Sequence, residues 1–427
     1  MSTNAELFGR ARDVIPGGVN SPVRAFTAVG GTPYFVARAA GARIWDVEGN
    51  EYLDLVQSYG AVIAGHAHPA ITEAIRAAAG DGTSYGAPTE REVLLAEQIC
   101  RRVPSVEKVR LVASGTEATM TALRVARGFT GRTRVVKFAG NYHGHGDALL
   151  AESGSAVAHI DAMATTGGVP GSAGVPPAAV AETSVVPYNV VPALDHTVAC
   201  VIVEPVAANM GLVPPVPGFL AGLRAECDRV GALLVFDEVI TGFRVASGGA
   251  QAVYDVRPDL SCFGKVIGGG LNVGAFGGRA AIMDELAPVG AVYQAGTLSG
   301  NPLATAAGLA ALSLLDDAAY ATLADRVDRL ASGLAEAIGA AGIPVCCPRV
   351  GPLMGLHFGA REPVDYDTAR HTDQPRYAEF FHAMLDRGVA LAPGPFEIAF
   401  PGLAHDDAVI DRIVEVAGEA AVAVARG

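Results

Sequence analysis

The sequence predicts an α/β fold built around a doubly wound, mostly parallel sheet. Between residues 109 and 285, short apolar runs rich in Val, Leu and Ile alternate with segments of helical periodicity. The runs at 109–112, 134–138, 199–203 and 232–236 are bounded by turn residues, which is typical of parallel strands buried on both faces. Helical spacing at 116–128 and 218–230 separates them. In such sheets, binding sites form at the carboxyl ends of the strands.

The two ends of the chain predict a second, smaller α+β domain. Strand candidates occur at 34–36, 42–46, 52–56 and 353–358, and helical spacing occurs at 69–79, at 90–102 and in much of the chain beyond Asn301. We therefore assign residues 1–65 and 316–427 to a small domain and residues 66–315 to a large domain. The stretch 151–181 is small, flexible and polar, which predicts a lid or a disordered insert within the large domain.

Composition excludes several classes of function. The 427 residues carry a formal net charge of −13, whereas a nucleic-acid surface needs a clustered basic face. The first residues lack the apolar segment of a secretory signal, and no apolar run approaches the length of a membrane span. We therefore expect a cytoplasmic protein that binds neither nucleic acid nor membranes.

Lys265 and Asp237 are the first two candidates for chemistry. Lys265 precedes a run of three glycines, and its amine is able to form a Schiff base where burial or a cationic neighbour lowers its pKa. Asp237 ends an apolar strand, so its carboxylate needs a positive partner, such as a protonated pyridine nitrogen. The alternatives are a surface lysine before a flexible turn, and an aspartate that caps a helix or forms a structural ion pair.

A third candidate is the small polar triplet formed by Ser114, Gly115 and Thr116. It lies between the strand at 109–112 and the helix that follows, where N–H groups and hydroxyls are available to a phosphate. Simple capping of the helix by Ser or Thr is the alternative. The spacing is not that of G-x-G-x-x-G, so a dinucleotide site is not predicted.

The segment after the strand at 134–138 carries an aromatic residue and two histidines. Tyr142 is suitably placed to stack on a cofactor ring. His143 and His145, together with His66 and His68, form two H-x-H pairs. Neither pair belongs to an H-E-x-x-H helix or a cysteine cluster, so we predict no metal site.

These residues lie in longer blocks through which the chain resembles the class-III aminotransferase family of fold-type-I pyridoxal-phosphate enzymes. The resemblance runs nearly from end to end and is carried by PGGVNSPVRAFTAVGGTP (16–33), SGTEATM (114–120), YHGH (142–145), VFDEVITGFR (235–244), FGKVIGGG (263–270) and YQAGTLSGNP (293–302). SGTEATM, the Asp-Glu pair and the lysine motif are typical of the whole family. GVNSPVRAF and YQAGTLSGNP resemble more narrowly its glutamate-1-semialdehyde 2,1-aminomutases.

The resemblance implies pyridoxal 5′-phosphate as the cofactor, with its pyridoxamine form during turnover. Lys265 is expected to bind it as a Schiff base and to transfer protons, while Asp237 pairs with the ring nitrogen and Tyr142 lies against the ring. Asn209 is expected near the ring hydroxyl, and Thr297 near the phosphate of a neighbouring subunit in a homodimer with shared sites. The implied cofactor contacts are Lys265, Asp237, Ser114, Gly115, Thr116, Tyr142, His143, Asn209, Glu204 and Thr297.

The resemblance also implies a substrate site and a reaction. Ser21 and Arg24 match residues that receive a carboxylate, for which a guanidinium fork is well suited, although a surface ion pair is the alternative for Arg24. Tyr59 lies on the substrate side, Glu397 near the cofactor, and Ser155 in a gating loop at about 151–181. The implied enzyme is an isomerase of tetrapyrrole (porphyrin) biosynthesis that converts glutamate-1-semialdehyde into 5-aminolevulinate by intramolecular amino exchange.

Several positions depart from the aminomutase pattern, and they cluster near the substrate. They are Tyr59 and Ala61 where Trp and Pro are usual, Glu152 for Lys, Asn272 for Pro, Asn141 for Cys, an enlarged gating loop and the segment 394–396. A related aminotransferase or aminomutase for another small amino acid or aldehyde therefore stays open as the alternative. A pyridoxal-phosphate binder without activity would lack Lys265 or Asp237, and both are present. A metal hydrolase is a further alternative, and the two H-x-H pairs are the sequence feature that favours it.

Overall fold

The computed structural model describes residues 2–151 and 169–426, which form two main sheets surrounded by helices. The strands are β1 (Val36–Ala40), β2 (Arg43–Asp46), β3 (Glu51–Asp54), β4 (Lys108–Val112), β5 (Arg134–Phe138), β6 (Thr183–Val186), β7 (Val198–Val203), β8 (Leu233–Asp237), β9 (Leu260–Phe263), β10 (Gly274–Gly278), β11 (Val345–Cys346), β12 (Arg349–Val350), β13 (Leu353–Met354), β14 (His357–Phe358) and β15 (Val389–Ala390). The helices are α1 (Asn4–Val14), α2 (Pro69–Asp81), α3 (Glu90–Arg102), α4 (Gly115–Thr130), α5 (Pro177–Val180), α6 (Phe219–Val230), α7 (Gly249–Tyr254), α8 (Ala280–Met283), α9 (Pro302–Ser313), α10 (Asp317–Ala340), α11 (Tyr366–Arg370), α12 (Gln374–Leu385) and α13 (Asp407–Arg426). Within the two described ranges, no helix combines the length and the apolar character needed to cross a bilayer.

The larger sheet is the predicted doubly wound sheet. Its seven strands lie in the order β4-β10-β9-β8-β7-β5-β6, and β10 alone runs antiparallel to its neighbours. Strands β7, β8 and β9 are buried at every residue. Leu233 and Val235 of β8 pack with α4 on one face, while Leu234 and Phe236 pack with α6 on the other. The apolar runs are therefore continuous because both faces of the sheet are covered.

The smaller sheet joins the two ends of the chain. Its order is β1-β2-β3-β15, and β15 pairs in parallel with β3 through Val389 opposite Leu53. Helices α10, α12 and α13 cover it, and one apolar core extends from Phe26 to Val424. A small α+β unit built from both termini is thus present, as expected. Domain boundaries near residues 65 and 315 stay a prediction.

Three strands of the large sheet escaped prediction, namely β6, β9 and β10. Strand β10 has the sequence GAFGG, which lacks the apolar pattern of a strand because it lies between two close neighbours. A Cβ added to Gly277 would lie 2.6 Å from the carbonyl oxygen of Lys108 and 2.7 Å from Cγ1 of Val106. The predicted run at 52–56 also ends early, at Asp54, because Val56 already has a helical conformation and Gln57 a left-handed one.

We expect Gly277→Ala to lower the free energy of unfolding by about 1–3 kcal/mol, because the new methyl group overpacks the contact between β10 and β4. Gly9→Ala is the matched control, since Gly9 lies inside α1 with nothing within 4 Å of an added Cβ. That change should leave stability equal or raise it by about 0.5–1 kcal/mol. Urea unfolding followed by circular dichroism measures both, and equal midpoints for the two variants would contradict the packing argument.

Candidate active site

A cavity of about 390 Å³ lies at the carboxyl ends of the large sheet's strands. Strands β4, β5, β7, β8 and β9 all end beside it, and segments from both termini of the chain close the opposite side. The volume is within the range of small-molecule sites. Of the residues proposed from the sequence, those that line the cavity are Ser21, Arg24, Tyr59, Ser114, Gly115, Thr116, Tyr142, His143, Glu204, Asn209, Asp237, Lys265 and Glu397.

Lys265 lies on a short helical turn, Lys265–Gly268, immediately after β9. Its φ of 47° is left-handed, a conformation that costs a non-glycine residue on the order of 1–2 kcal/mol. Burial lowers the pKa of the amine, while the carboxylates of Glu397, Asp237 and Glu204 oppose that shift. A lowered pKa increases the neutral fraction of the amine near pH 7, and the neutral amine is the form that attacks a carbonyl carbon.

The carboxylate of Asp237 is fixed at the end of β8 by two donors. His143 Nδ1 lies 2.7 Å from Oδ2, and the N–H of Val239 donates to Oδ1 at 3.0 Å. Burial lowers the pKa of His143 despite the contact with Asp237, so the imidazole is neutral at pH 7 and its Nδ1–H donates to the carboxylate. No described residue bonds His143 Nε2, which is buried. The His143–Asp237 pair therefore carries a net negative charge at the cavity, and no cation within the pair balances it.

The side chain of Glu204 orients the neighbouring residues through hydrogen bonds. One of its oxygens accepts from the N–H of Tyr142 at 2.7 Å, and the other accepts from the N–H of Ala208 at 2.9 Å and from Asn209 Nδ2 at 3.0 Å. Burial and then the Asp237 carboxylate raise the pKa of Glu204 to about 8, against the effect of these donors. Glu204 thus holds Tyr142 and Asn209 at the cavity wall.

Helix α4 begins at the cavity, where the triplet 114–116 caps the helix and also offers groups that are able to bind an anion. Ser114 is the N-cap, and its side chain accepts from the N–H of Glu117 at 3.2 Å. The next two residues, Gly115 and Thr116, lie in the first turn, where N–H groups have no intrahelical acceptor and the helix dipole is positive. Thr116 Oγ1 lies 3.2 Å from Nδ1 of His145. These groups are suited to an anion such as a phosphate.

The wall opposite the sheet combines charges of both signs. Arg24 lies on the short helical turn Pro22–Ala25, and Tyr59 on the turn Gln57–Gly60. The pKa of Tyr59 is raised by burial, then by Glu397 and more weakly by Asp54, while Arg24 lowers it. The phenol is therefore a neutral hydrogen-bonding group at pH 7 beside a cation and an acidic side chain.

Two residues proposed from the sequence are not among the described residues that line this cavity. Thr297 is exposed and does not line it. Ser155 falls in the range 152–168, outside the described residues, as does Glu152. The H-x-H pairs do not converge on one another, since His66 contacts Asp54 and His143 contacts Asp237. In the part of the chain that the structure describes, no cluster of three or more His, Cys, Asp or Glu is arranged to hold a metal.

Sequence reasoning missed several other lining residues, including Ser58, Thr119, Val206, Val239, Ile240, Thr241 and Phe400. Three of these, 239–241, follow Asp237 directly, so their position after a strand end was an available signal. Thr119 lies one helical turn after Thr116, and its hydroxyl donates to the carbonyl of His143 at 2.7 Å. Nothing local in the sequence indicates Phe400, which reaches the cavity from the carboxyl-terminal part of the chain.

Comparison with known proteins gives one family and a set of similar structures. A sequence model described as "Aminotransferase class-III" matches residues 26–417. An omega-transaminase from Sphaerobacter thermophilus is 34% identical with a TM-score of 0.90, covering 100% of this chain and 98% of that one. A beta-phenylalanine aminotransferase from Variovorax paradoxus is 31% identical, with a TM-score of 0.85 and coverage of 97% and 93%. A glutamate-1-semialdehyde-aminomutase from Pseudomonas aeruginosa PAO1, in complex with pyridoxamine phosphate (PMP), is 28% identical, with a TM-score of 0.85 and coverage of 98% and 93%.

The residues of the cavity fit pyridoxal phosphate. Lys265 offers an amine of lowered pKa, and Asp237 offers a fixed carboxylate for a protonated ring nitrogen. The first turn of α4 offers N–H groups and hydroxyls for the phosphate. Each of these groups follows a different strand of the large sheet, so one cofactor molecule at the sheet's edge is within the reach of all of them.

Asp237→Asn should weaken the binding of pyridoxal phosphate by about 10- to 100-fold, because a neutral amide leaves the charge of the ring nitrogen without a counterion. Asp259→Asn is the matched control. Asp259 is also buried, but it lies before β9 at the opposite edge of the sheet, where it bonds Arg224 and the N–H of Leu234. Absorbance titration of the apo-proteins gives both affinities, and a wild-type affinity for Asp237→Asn would refute the assigned pairing.

Proposed function

Because the chain belongs to the class-III aminotransferase family, we propose that it is a pyridoxal-phosphate-dependent aminomutase that converts glutamate-1-semialdehyde into 5-aminolevulinate. The exchange is intramolecular, and its product enters tetrapyrrole biosynthesis. The blocks at 16–33 and 293–302, which resemble the aminomutases, support this substrate. The charge of the cavity supports it independently.

The observation that carries the proposal is the single guanidinium at the cavity. Among the described lining residues, Arg24 is the only arginine and Lys265 the only lysine. Residues 152–168, ESGSAVAHIDAMATTGG, contain neither residue type in their sequence. With Lys265 assigned to the cofactor, one strong cation remains for the substrate. Glutamate-1-semialdehyde carries one carboxylate, whereas an acceptor such as 2-oxoglutarate carries two and would leave one without a guanidinium partner from the described residues of this subunit.

Each residue then has a defined task in the exchange. Pyridoxal phosphate supplies a carbonyl that exchanges with primary amines and a ring that accepts the electron pair of a broken C–H bond. Arg24 binds the substrate carboxylate and so fixes which carbon lies beside Lys265. The neutral amine of Lys265 takes a proton from that carbon and returns it to another. Asp237, supported by His143, keeps negative charge at the ring nitrogen, and the first turn of α4 binds the phosphate.

A transaminase that uses a separate amino acceptor is the second candidate. The higher identity and TM-score of the omega-transaminase favour it. Of the departures at Tyr59, Ala61 and Asn272, Tyr59 lines the cavity, where a change of substrate would be accommodated. The two candidates share the cofactor and Lys265, and they differ in whether a second amino compound is needed for each turnover.

The decisive experiment mixes the enzyme in its pyridoxamine form with glutamate-1-semialdehyde and no other amino compound. We expect 5-aminolevulinate to accumulate over many turnovers, and Lys265→Ala to slow its formation by at least about 100-fold, because the proton-transfer group is lost. A parallel reaction holds an ω-amine and a 2-oxo acid. Turnover in that reaction, with no 5-aminolevulinate in the first, would establish the transaminase instead.

The enzyme is further proposed to be a homodimer in which Thr297 completes the neighbouring phosphate site. Thr297 is exposed in a segment that also exposes the apolar side chains of Val289, Tyr293 and Leu298, by 73%, 71% and 54%. Exposed apolar side chains in such a group are typical of a subunit interface. Tyr293, Thr297 and Leu298 also lie within the block at 293–302 that resembles the aminomutases.

Mixed dimers test this shared site. Lys265→Ala and Thr297→Glu should each be inactive as pure dimers, the second because a carboxylate repels the phosphate. After dissociation and equal mixing, about half the dimers are mixed, and each has one intact site, so about a quarter of wild-type activity should return. No recovery, with mixed dimers verified by mass spectrometry, would show that Thr297 does not act across the interface.

A further inference from the structure

We propose that Asp54, which does not line the cavity, is a positioning residue for the substrate. It holds the turn Gln57–Gly60 in the conformation that sets Tyr59 beside Arg24 and Glu397. The proposal rests on the proposed function only in that the cavity binds an amino substrate with a carboxylate. It does not depend on which substrate that is.

The turn needs such support because its backbone is unfavourable. The φ angles are 44° at Gln57, 53° at Ser58, 55° at Tyr59 and 90° at Gly60, all in the left-handed region. Each of the three non-glycine residues costs on the order of 1–2 kcal/mol in that region, so the turn persists only where its surroundings fix it. Ser58 and Tyr59, at its centre, line the cavity.

The carboxylate of Asp54 supplies most of that support. Its side chain is 4% exposed. Oδ1 accepts from the N–H of Val56 at 2.8 Å, and Oδ2 accepts from the N–H of Gln57 at 3.1 Å. His66 Nε2 lies 2.7 Å from Oδ2. Both oxygens are therefore used, and the two backbone donors are those that lead directly into the left-handed residues.

The main chain of Asp54 extends the same network to the carboxyl-terminal side of the cavity. Its carbonyl accepts from Gln57 Nε2 at 3.1 Å and from His405 Nε2 at 3.0 Å. The N–H of Phe400 donates to the carbonyl of Leu55 at 2.8 Å, and a Cβ on Gly60 would lie 2.6 Å from Cδ1 of Phe400. Phe400 lines the cavity. The contacts around Asp54 therefore fix the turn Gln57–Gly60 and the segment 397–405 relative to each other.

The consequence of a loosened turn falls on the substrate and not on the cofactor. Tyr59, Arg24 and Glu397 line the wall opposite the sheet, and the charges of Glu397, Arg24 and Asp54 all act on the pKa of the Tyr59 phenol. The groups assigned to the cofactor ring and phosphate follow strands of the large sheet instead, and none of them contacts Asp54 in the hydrogen-bond network just described. Asp54 is thus expected to affect the affinity for a carboxylate substrate while leaving cofactor binding unchanged.

The test is Asp54→Asn in the full holoenzyme, since an amide keeps one acceptor oxygen and replaces the other with a donor that faces N–H groups. We expect KM for the amino substrate, and the dissociation constant for levulinate measured by calorimetry on the pyridoxal form, to rise at least about tenfold. We expect kcat within about threefold of wild type and an unchanged affinity for pyridoxal phosphate. Levulinate carries the carboxylate but no amine, so its binding reports positioning without catalysis.

Asp46→Asn is the matched control. Asp46 is 2% exposed, ends β2 of the same sheet and holds a turn through the N–H groups of Glu48 and Asn50 at 3.0 and 2.8 Å, yet it does not line the cavity. The Asp46→Asn variant should have a lower thermal midpoint of unfolding but an unchanged KM and an unchanged affinity for levulinate. The KM and the levulinate affinity of His66→Gln, which keeps a donor toward Asp54, should stay closer to the wild-type values than those of His66→Leu.

The outcomes separate this proposal from the proposed function. Unchanged KM and levulinate affinity in folded Asp54→Asn would overturn the proposal, and so would a parallel loss of substrate and cofactor affinity, which would indicate a general structural role. If the wild-type enzyme makes no 5-aminolevulinate, the proposed function fails. The comparison is then made with whichever amine changes the wild-type cofactor absorbance, and Asp54 is judged by the same split between KM and kcat.

Discussion

The burial of the Asp237 carboxylate at the end of β8 is the constraint on which the rest of the site depends. A carboxylate in an apolar sheet is costly unless donors and a cation meet it. Here His143 and the N–H of Val239 supply the donors, and burial keeps the imidazole neutral, so the pair still lacks a positive charge of its own. We propose that the cationic ring of pyridoxal phosphate completes it, which would set the cofactor at this strand and its remaining contacts at the other strand ends.

The sheet edge was predictable because its signals are local. A polar residue that follows a buried apolar strand stands out, and parallel strands bring such residues to one edge. Asp237 and the triplet 114–116 were identified in that way and Lys265 from the glycine run that follows it, and the structure gathers them around one cavity. Their individual roles toward the cofactor stay predictions, whereas the fold and the use of pyridoxal phosphate follow from the family.

The opposite wall was less predictable because it is made by contacts distant in the chain. Phe400 meets Gly60 across more than three hundred residues, and no pattern near either residue indicates that contact. The left-handed run at 57–59 is similarly hidden, since Gln, Ser and Tyr have no preference for positive φ and only the hydrogen bonds to Asp54 explain it. Strand β10 escaped prediction for a related reason, because its glycines are required by the close approach of carbonyl groups from neighbouring strands. We propose that this wall recognises the substrate, which is why the sequence limits the choice of substrate less tightly than the choice of cofactor.

The pairing of β15 with β3 also constrains how the protein is made. Ribosomes add roughly 5–20 residues per second, so β3 waits about 20–70 s before its partner at Val389–Ala390 is synthesised. The large sheet is complete before that moment, because its last strand ends at Gly278. A nascent chain therefore possesses the cofactor's strand ends while Glu397 and Phe400 are still unmade. Until Val389–Ala390 has been synthesised and paired, the exposed edge of β3 is a point where nascent chains are open to capture by chaperones or to mispairing with one another.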